Sequence, residues 1–432
     1  MSILRAMYTG VTGINAEGEA LGTVGDNISN INTVGFKEQR TIFQDMLGHS
    51  ITAGSASAMP GSGVMVGKIE QLFTQGSLST TGVSTDVALN GDGFFMVNGN
   101  VDGVAGNFYT RAGNFNIDKD GYLVNANALK VQGYQASANG TIQSAQIGAL
   151  KVPTAALPPA VTSQMAITAN LDANQAVPVA AWDPQNPAQT SNFNTSMQVY
   201  DSLGNAHTVN VYFRKTAANT WDYHALVDGG QLTGGTAGTN VEIGTGTLAF
   251  TTDGALNTVS ANTLTADFVG ATAGQTITVN FGTPISGGGT GLDGTTQFGG
   301  PSNVSSQSQN GYTTGDLAGV TVDGDGTVRG MYTNGQKIAV GQLAVAKFRS
   351  NEGLGRAGQS LWIETRDSGV AALGVAGSGG RGAVSVGALE QSNVDLAQQF
   401  VDLIAHQRAF SADSKTITTA DEMLQELVNI KR

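Results

Sequence analysis

Residues 4–31 read LRAMYTGVTGINAEGEALGTVGDNISNI. Leu4, Val11, Gly18 and Gly25 recur every seven residues and interleave with Met7, Ile14, Leu21 and Ile28, which is the 3-4 spacing of a helical seam. Residues 394–430, VDLAQQFVDLIAHQRAFSADSKTITTADEMLQELVNI, carry a second seam in which Leu396, Leu403, Phe410, Ile417 and Leu424 also recur every seven. Two long amphipathic helices at opposite ends of a Gly-rich body predict helix-on-helix packing, including packing onto neighbouring copies. That is the logic of an assembly subunit.

The 432 residues exceed one ordinary core, and at about 100 to 200 residues per domain they predict two to four. The chain holds 60 glycines, and only 12% of its residues are charged, a profile of many short strands and tight turns. A formal charge of −12 with 21 scattered Lys and Arg opposes nucleic-acid binding, which needs a concentrated basic surface. Cysteine is absent, so disulfides, thiolate metal sites and thiol catalysis are excluded together. The N-terminal MSILRAMYTGVTG lacks the apolar run of a secretory signal, and no stretch approaches the ~18 apolar residues of a membrane span. Export without a cleaved signal and no membrane insertion are the corresponding expectations.

Outward from the first helix, Asn27 to Lys37 is rich in Asn, Ser and Gly, so the helix is expected to stop near Ile31. Residues 48–67 are glycines and small side chains and read as an extended connector. From about Val66 β-type alternation takes over, and Asn90-Gly91-Asp92-Gly93 between two apolar runs signals a hairpin. Prolines at 153, 158 and 159 suggest a boundary. Met197 to Phe213 reads as strand, turn, strand, and residues 229–310 read as a Gly/Thr-rich β domain fading into a loop. Ser392 or Asn393 is placed to cap the last helix, with Asp395 suited to its positive dipole end. The predicted fold class is α+β, mainly β: a β-rich body (71–150 plus 309–392), an inserted outer β domain (151–308), a connector (33–70), and terminal helices (1–32 plus 393–432) forming a coiled-coil layer.

The motif-like stretches of the chain read as structure and not as chemistry. Gly353-Leu354-Gly355-Arg356-Ala357-Gly358 matches G-x-G-x-x-G, but the next residues look like a strand and not the helix that would hold a pyrophosphate. Asp118-Lys119-Asp120-Gly121 and Asp323-Gly324-Asp325-Gly326 resemble calcium loops, yet position 12 falls on Leu129 and Asn334 in place of the bidentate Glu. His49, His207, His224 and His406 form no metal-binding spacing. No catalytic, cofactor-binding or metal-binding residue is assigned, and no enzyme is expected.

Val24-Gly25-Asp26-Asn27-Ile28-Ser29-Asn30-Ile31-Asn32-Thr33-Val34-Gly35-Phe36-Lys37 resembles the signature of the bacterial flagellar axial proteins of the rod and hook family. Gly387 to Leu396 and Leu403-Ile404-Ala405-His406-Gln407-Arg408-Ala409-Phe410 resemble its C-terminal counterpart. Within the middle, Tyr200-Asp201-Ser202-Leu203-Gly204-Asn205-Ala206-His207 is similar to an element of hook subunits. The sequence departs from the pattern at Asp26, where Asn is usual, and at Phe410, where Tyr is common.

The resemblance implies a structural subunit of the flagellar hook, a homopolymer of many copies in a curved tube that transmits torque as a universal joint. It implies inner helical, middle β and outer inserted layers, and a location outside the cell. The implied partners are the distal rod protein, the hook-filament junction proteins, the hook cap protein and the flagellar type III export apparatus. The motif residues it singles out are Asn27, Asn30, Gly35, Phe36, Tyr200, Asp201, Gly204, Asn393, Gln407 and Arg408. A rod or hook-associated axial subunit is the alternative within the class. A secreted β-rich binding protein or carbohydrate-active enzyme is the alternative outside it.

Overall fold

The computed structural model describes residues 2–47, 61–137 and 140–430. The first periodic stretch forms helix α1, Ser2–Ser29. It stops where Asn30 turns its side-chain amide back onto the Asp26 carbonyl at 2.9 Å, one helical turn behind. A single turn, α2, spans Pro187–Thr190, and the second periodic stretch forms α3, Leu396–Ile430. The cap of α3 differs from expectation: Asp395 itself accepts the amides of Ala397 at 2.8 Å and Gln398 at 3.3 Å. Asn393 is engaged elsewhere.

After α1, strand β1 (Gln39–Leu47) pairs antiparallel with β2 (Gly61–Gln71), Thr41 opposite Ile69 and Phe43 opposite Val66. Residues 61–67 of the expected connector are therefore ladder strand, because Val64, Val66 and Ile69 supply β-branched side chains between the glycines. Residues 48–60 of that connector lie outside the described residues.

The expected Asn-Gly/Asp-Gly hairpin is also corrected. Strand β3 (Leu78–Thr80) and strand β4 (Val87–Asn90) precede the turn, and β5 (Phe94–Val101) and β6 (Val104–Thr110) follow it. Strand β4 pairs with Ala383–Val386, while β5 pairs with β6. Gly91 and Gly93, at φ 111° and 127°, hand the chain from one sheet to another. Elsewhere the turn readings hold. Asp118–Gly121 closes a hairpin between Asn116–Ile117 and Leu123–Val124, and Asp323–Gly326 joins Leu317–Val322 to Thr327–Tyr332. The G-x-G-x-x-G stretch runs into a hairpin, Gly355–Gly358 against Leu361–Ile363, whose tip residues Gln359 and Ser360 lie at φ 54° and 57°.

The chain divides into two compact units, Met1–Thr154 with Ala318–Met331 and Lys337–Arg432, and Ala155–Leu317 with Tyr332–Gln336. The first unit contains α1, α3 and a large sheet whose aromatic core is Phe94, Tyr109, Phe348 and Trp362. In the second, a five-stranded antiparallel sheet and a four-stranded mixed sheet enclose a core that includes Val211, Phe213, Trp221, Tyr223, Ile277 and Phe281. The expected strand-turn-strand appears there as Phe193–Tyr200 against Ala206–Ala217, with Tyr200 opposite Ala206. Asn303–Gln309, expected as fading loop, is a strand paired with Gln164–Asn170. Its Ser and Gln side chains conceal it from an apolar-alternation reading.

Candidate self-assembly site

Helices α1 and α3 pack antiparallel. Gly10 lies against Ile417, Gly13 against Asp413, Glu17 against His406 and Asn27 against Gln399, so the contacts ascend one helix as they descend the other. The face of α1 buried by this pairing and by the β1–β2 hairpin is Gly10, Gly13, Ala16, Ala20, Thr23, Val24 and Asn27. Small side chains there let the helix axes approach closely.

The large apolar residues of the N-terminal seam do not form that face. Leu4 is 54% exposed and Val11 44%, while Met7, Ile14, Leu21 and Ile28 are half-buried. On α3, Leu403, Ile417 and Leu424 are half-buried, whereas Leu396 and Phe410 are exposed. Phe400, Val401, Ile404, Leu427 and Val428 are exposed as well, and they escaped the sequence reading because they fall outside the strict seven-residue repeat. Gln407 and Arg408 are exposed on α3. The helix pair thus spends its small residues on itself, with Ile417 packed over Gly10, and leaves Leu4, Val11, Leu396, Phe400, Val401, Ile404 and Phe410 exposed.

The root of the pair is polar and tightly bonded. Asn27, 1% exposed, donates from Nδ2 to the Gln39 carbonyl at 2.8 Å and to Gln399 Oε1 at 3.0 Å, and its Oδ1 accepts the Gln39 amide at 2.9 Å. Asn30 Oδ1 accepts the Thr33 hydroxyl at 3.0 Å. Gly35 sits at φ 67°, where a Cβ would also collide with the Arg111–Ala112 backbone, and its amide donates to the Glu390 carbonyl at 2.8 Å. Phe36 is buried beside it in sequence. Asn393 accepts the Glu38 amide at 2.7 Å and donates to Leu72 O at 2.8 Å.

One ionic cluster here had no signal in the sequence. Lys37 Nζ lies 2.6 Å from Glu390 Oε1, and Arg111 Nη1 lies 3.2 Å from Glu390 Oε2. The Lys37 and Glu390 side chains are fully buried and Arg111 nearly so. Burial pushes the Lys37 ammonium below its ordinary range against the opposing pull of Glu390.

In the second unit, Asp201 is fully buried and organises a turn. Oδ1 accepts the amides of Leu203 at 2.8 Å and Asn205 at 2.9 Å, and Oδ2 contacts Asn205 Nδ2 at 3.0 Å and His207 Nε2 at 3.1 Å. Burial alone would raise this carboxyl, but the four contacts, led by His207, outweigh it and hold Asp201 below the usual range. Gly204, at φ 84°, passes where a Cβ would meet Pro159 and Thr313, and Tyr200 is half-buried at the strand end. This motif builds a turn.

The chain is 36% identical over 427 residues to the flagellar hook protein FlgE of Salmonella typhimurium, covering 98% of each chain. It is 35% identical over 431 residues to that of Escherichia coli, covering 99% of this chain and all of the relative. The chain belongs to the flagellar hook protein family.

It is a structural subunit of the hook, and its segments match hook and rod domain models in order. These are the flagella basal body rod protein at 7–37, the flagellar hook protein FlgE/F/G D1 domain at 88–170, the flagellar basal body protein FlaE D2 domain at 170–312, and the flagellar basal body rod FlgEFG protein C-terminal at 385–430. The Treponema pallidum hook protein is 34% identical over 480 residues and is covered in full. The Helicobacter pylori hook protein FlgE2 crystal structure superposes with a TM-score of 0.51 at 14% identity, covering 72% of this chain and all of that one, and shares the mainly β hook fold. The rod-type matches fall on the two helical ends, and the D1 and D2 domain matches fall on the β-rich segments between them.

Proposed function

We propose that the hook subunit polymerises through the outward apolar faces of α1 and α3, and that the resulting curved tube transmits torque as a universal joint. The observation that carries this reading is the division of the helix surface: Leu4, Val11, Phe400, Val401, Ile404 and Val428 stay exposed, while the buried face of α1 is built mainly from small residues, Gly10, Gly13, Ala16 and Ala20. Each large apolar side chain fully buried by a neighbouring copy contributes about 1.5 to 3 kcal/mol before ordering entropy is subtracted. A helix of 35 residues extends about 52 Å, long enough to engage more than one neighbour. Bending is easy in such a lattice if compact β units slide past one another. Twisting is hard because the helical layer is continuous.

The proposal extends to a distal rod protein on one side, junction proteins on the other, growth under a hook cap, and export by the flagellar type III apparatus without a cleaved signal, with the assembled subunit outside the cell. Family membership supports these partners, and the helical ends shared with rod domains support a common packing surface at the rod boundary.

The test is polymerisation of Val401→Ser/Ile404→Ser. The purified variant is expected to keep its β units folded by circular dichroism and to fail to form tubes by electron microscopy; normal tubes from this variant would defeat the reading. A tag placed between the exposed residues Ala237 and Gly238 should be labelled on the segment between envelope and filament. Label on the rod would move the subunit to a sibling position.

A further inference from the structure

Three separate pieces of chain converge on the Glu390 side chain and its backbone. Oε1 meets Lys37 Nζ at 2.6 Å and accepts the Gly76 amide at 3.0 Å; Oε2 meets Arg111 at 3.2 Å; the backbone carbonyl accepts the Gly35 amide at 2.8 Å. Lys37 also donates to Thr74 O at 2.7 Å, and Arg111 donates to Gly91 O at 2.9 Å while lying 5.3 Å over the Phe94 ring. Arg111 Nε is buried without a hydrogen-bond partner. Two buried cations therefore share one carboxylate.

The strand Ala388–Glu390 that carries it pairs with β3, and the next residues lead directly into α3. Lys37 lies between α1 and β1. We infer that Glu390 is a latch that makes the two chain ends dock as one unit, because the N-terminal segment buries Lys37 beside Arg111 at tolerable cost only when the C-terminal segment supplies this carboxylate. Removing one member of a buried ion group leaves uncompensated charge, which is far costlier than never having placed the group there. Glu390 is a positioning residue in this sense: it holds both helix roots without touching the outward faces.

The inference does not depend on how copies assemble, and its test is made on the full-length monomer. Glu390→Gln keeps the shape and the acceptor for Gly76 but leaves the cluster with two cations. Backbone hydrogen exchange should then accelerate about 100-fold both at the N-terminal root and at the C-terminal one. The N-terminal reporter is the Gln39 amide, held by Asn27, and the C-terminal reporter is the Gln391 amide, held by Ser77 O. The double variant Lys37→Met/Glu390→Gln returns the cluster to the wild-type net charge and should recover most of the protection. Loss confined to Gly76, with Gln39 and Gln391 still protected, would overturn the latch. So would a double variant no better protected, or no better folded, than Glu390→Gln alone.

Discussion

Asn27 and Gln399 are 372 residues apart in sequence and share a buried hydrogen bond of 3.0 Å at the root of the α1–α3 pair. Gln399 in turn donates to Glu38 Oε1 at 2.8 Å, so helix, strand and helix are tied through two amide side chains. Asn27 serves both as donor and as acceptor, which no apolar residue of similar size can do. Asn27→Ala is expected to destabilise the root by about 2 to 3 kcal/mol, since it strands the buried Gln39 amide and carbonyl. Denaturant unfolding followed alongside exchange of the Gln39 amide checks the value.

Glycines on α1 separate into two kinds. A Cβ at Gly10 would press on Ile417 at 2.8 Å, and one at Gly13 would enter the Asp413 carboxylate. Gly10→Leu should therefore splay α1 from α3, with loss of exchange protection along both helices. Gly18 has nothing within 4 Å of a built Cβ. Gly18→Ala should stabilise the monomer by about 0.5 to 1 kcal/mol through helix propensity. If the same variant impairs polymerisation, the open flank of Gly18 is an intersubunit contact.

The helix-pair carboxyls Asp413 and Glu38 and the second-unit carboxyl Asp201 should respond to acid with opposite sign. Asp413 is held above the usual carboxylate range, by burial first and then by Glu17. Glu38 is also raised, by burial first, with the Asp402 charge adding and the Gln399 hydrogen bond opposing. A carboxyl raised in the folded state binds more protons folded than unfolded, so helix-pair stability should rise as pH falls from neutral through the folded values and level off below the ordinary value near 4. Asp413→Asn should flatten this rise and stabilise the pair at neutral pH. Thermal melts of the helical signal at pH 4.5 and pH 7 measure it.

Asp201 sets the contrary trend in the second unit. Its carboxyl is held below the ordinary value, so its contribution is complete above about pH 4 and disappears as pH falls through the folded value. Trp221, fully buried in that unit, gives a local fluorescence probe. Its unfolding midpoint in urea is expected to drop below pH 4 in the wild type. In Asp201→Asn, already destabilised at neutral pH, the drop should be smaller.

Much of this fold was legible along the chain because the signals were local. Seven-residue periodicity marked α1 and α3 to within a few residues, and Asp-Gly pairs marked the turns at 118–121 and 323–326. The failures were nonlocal. The turn at Asn90–Gly93 looked like a hairpin, but β4 and β5 belong to different sheets, a matter of which distant strand arrives. The strand Asn303–Gln309 is too polar to announce itself.

The sequence by itself determined that two amphipathic helices bracket a Gly-rich β body, because helical periodicity, turn chemistry and composition act over a few residues. Which face of each helix the chain keeps for itself was decided only in three dimensions. Close approach favours Gly10, Gly13, Ala16 and Ala20 over Leu4 and Val11, and an apolar stripe carries no mark of whether its partner is its own chain or another. The Lys37–Glu390–Arg111 cluster likewise exists only because the tertiary structure brings three distant charged residues into one dry site, where each is tolerable solely in the presence of the others.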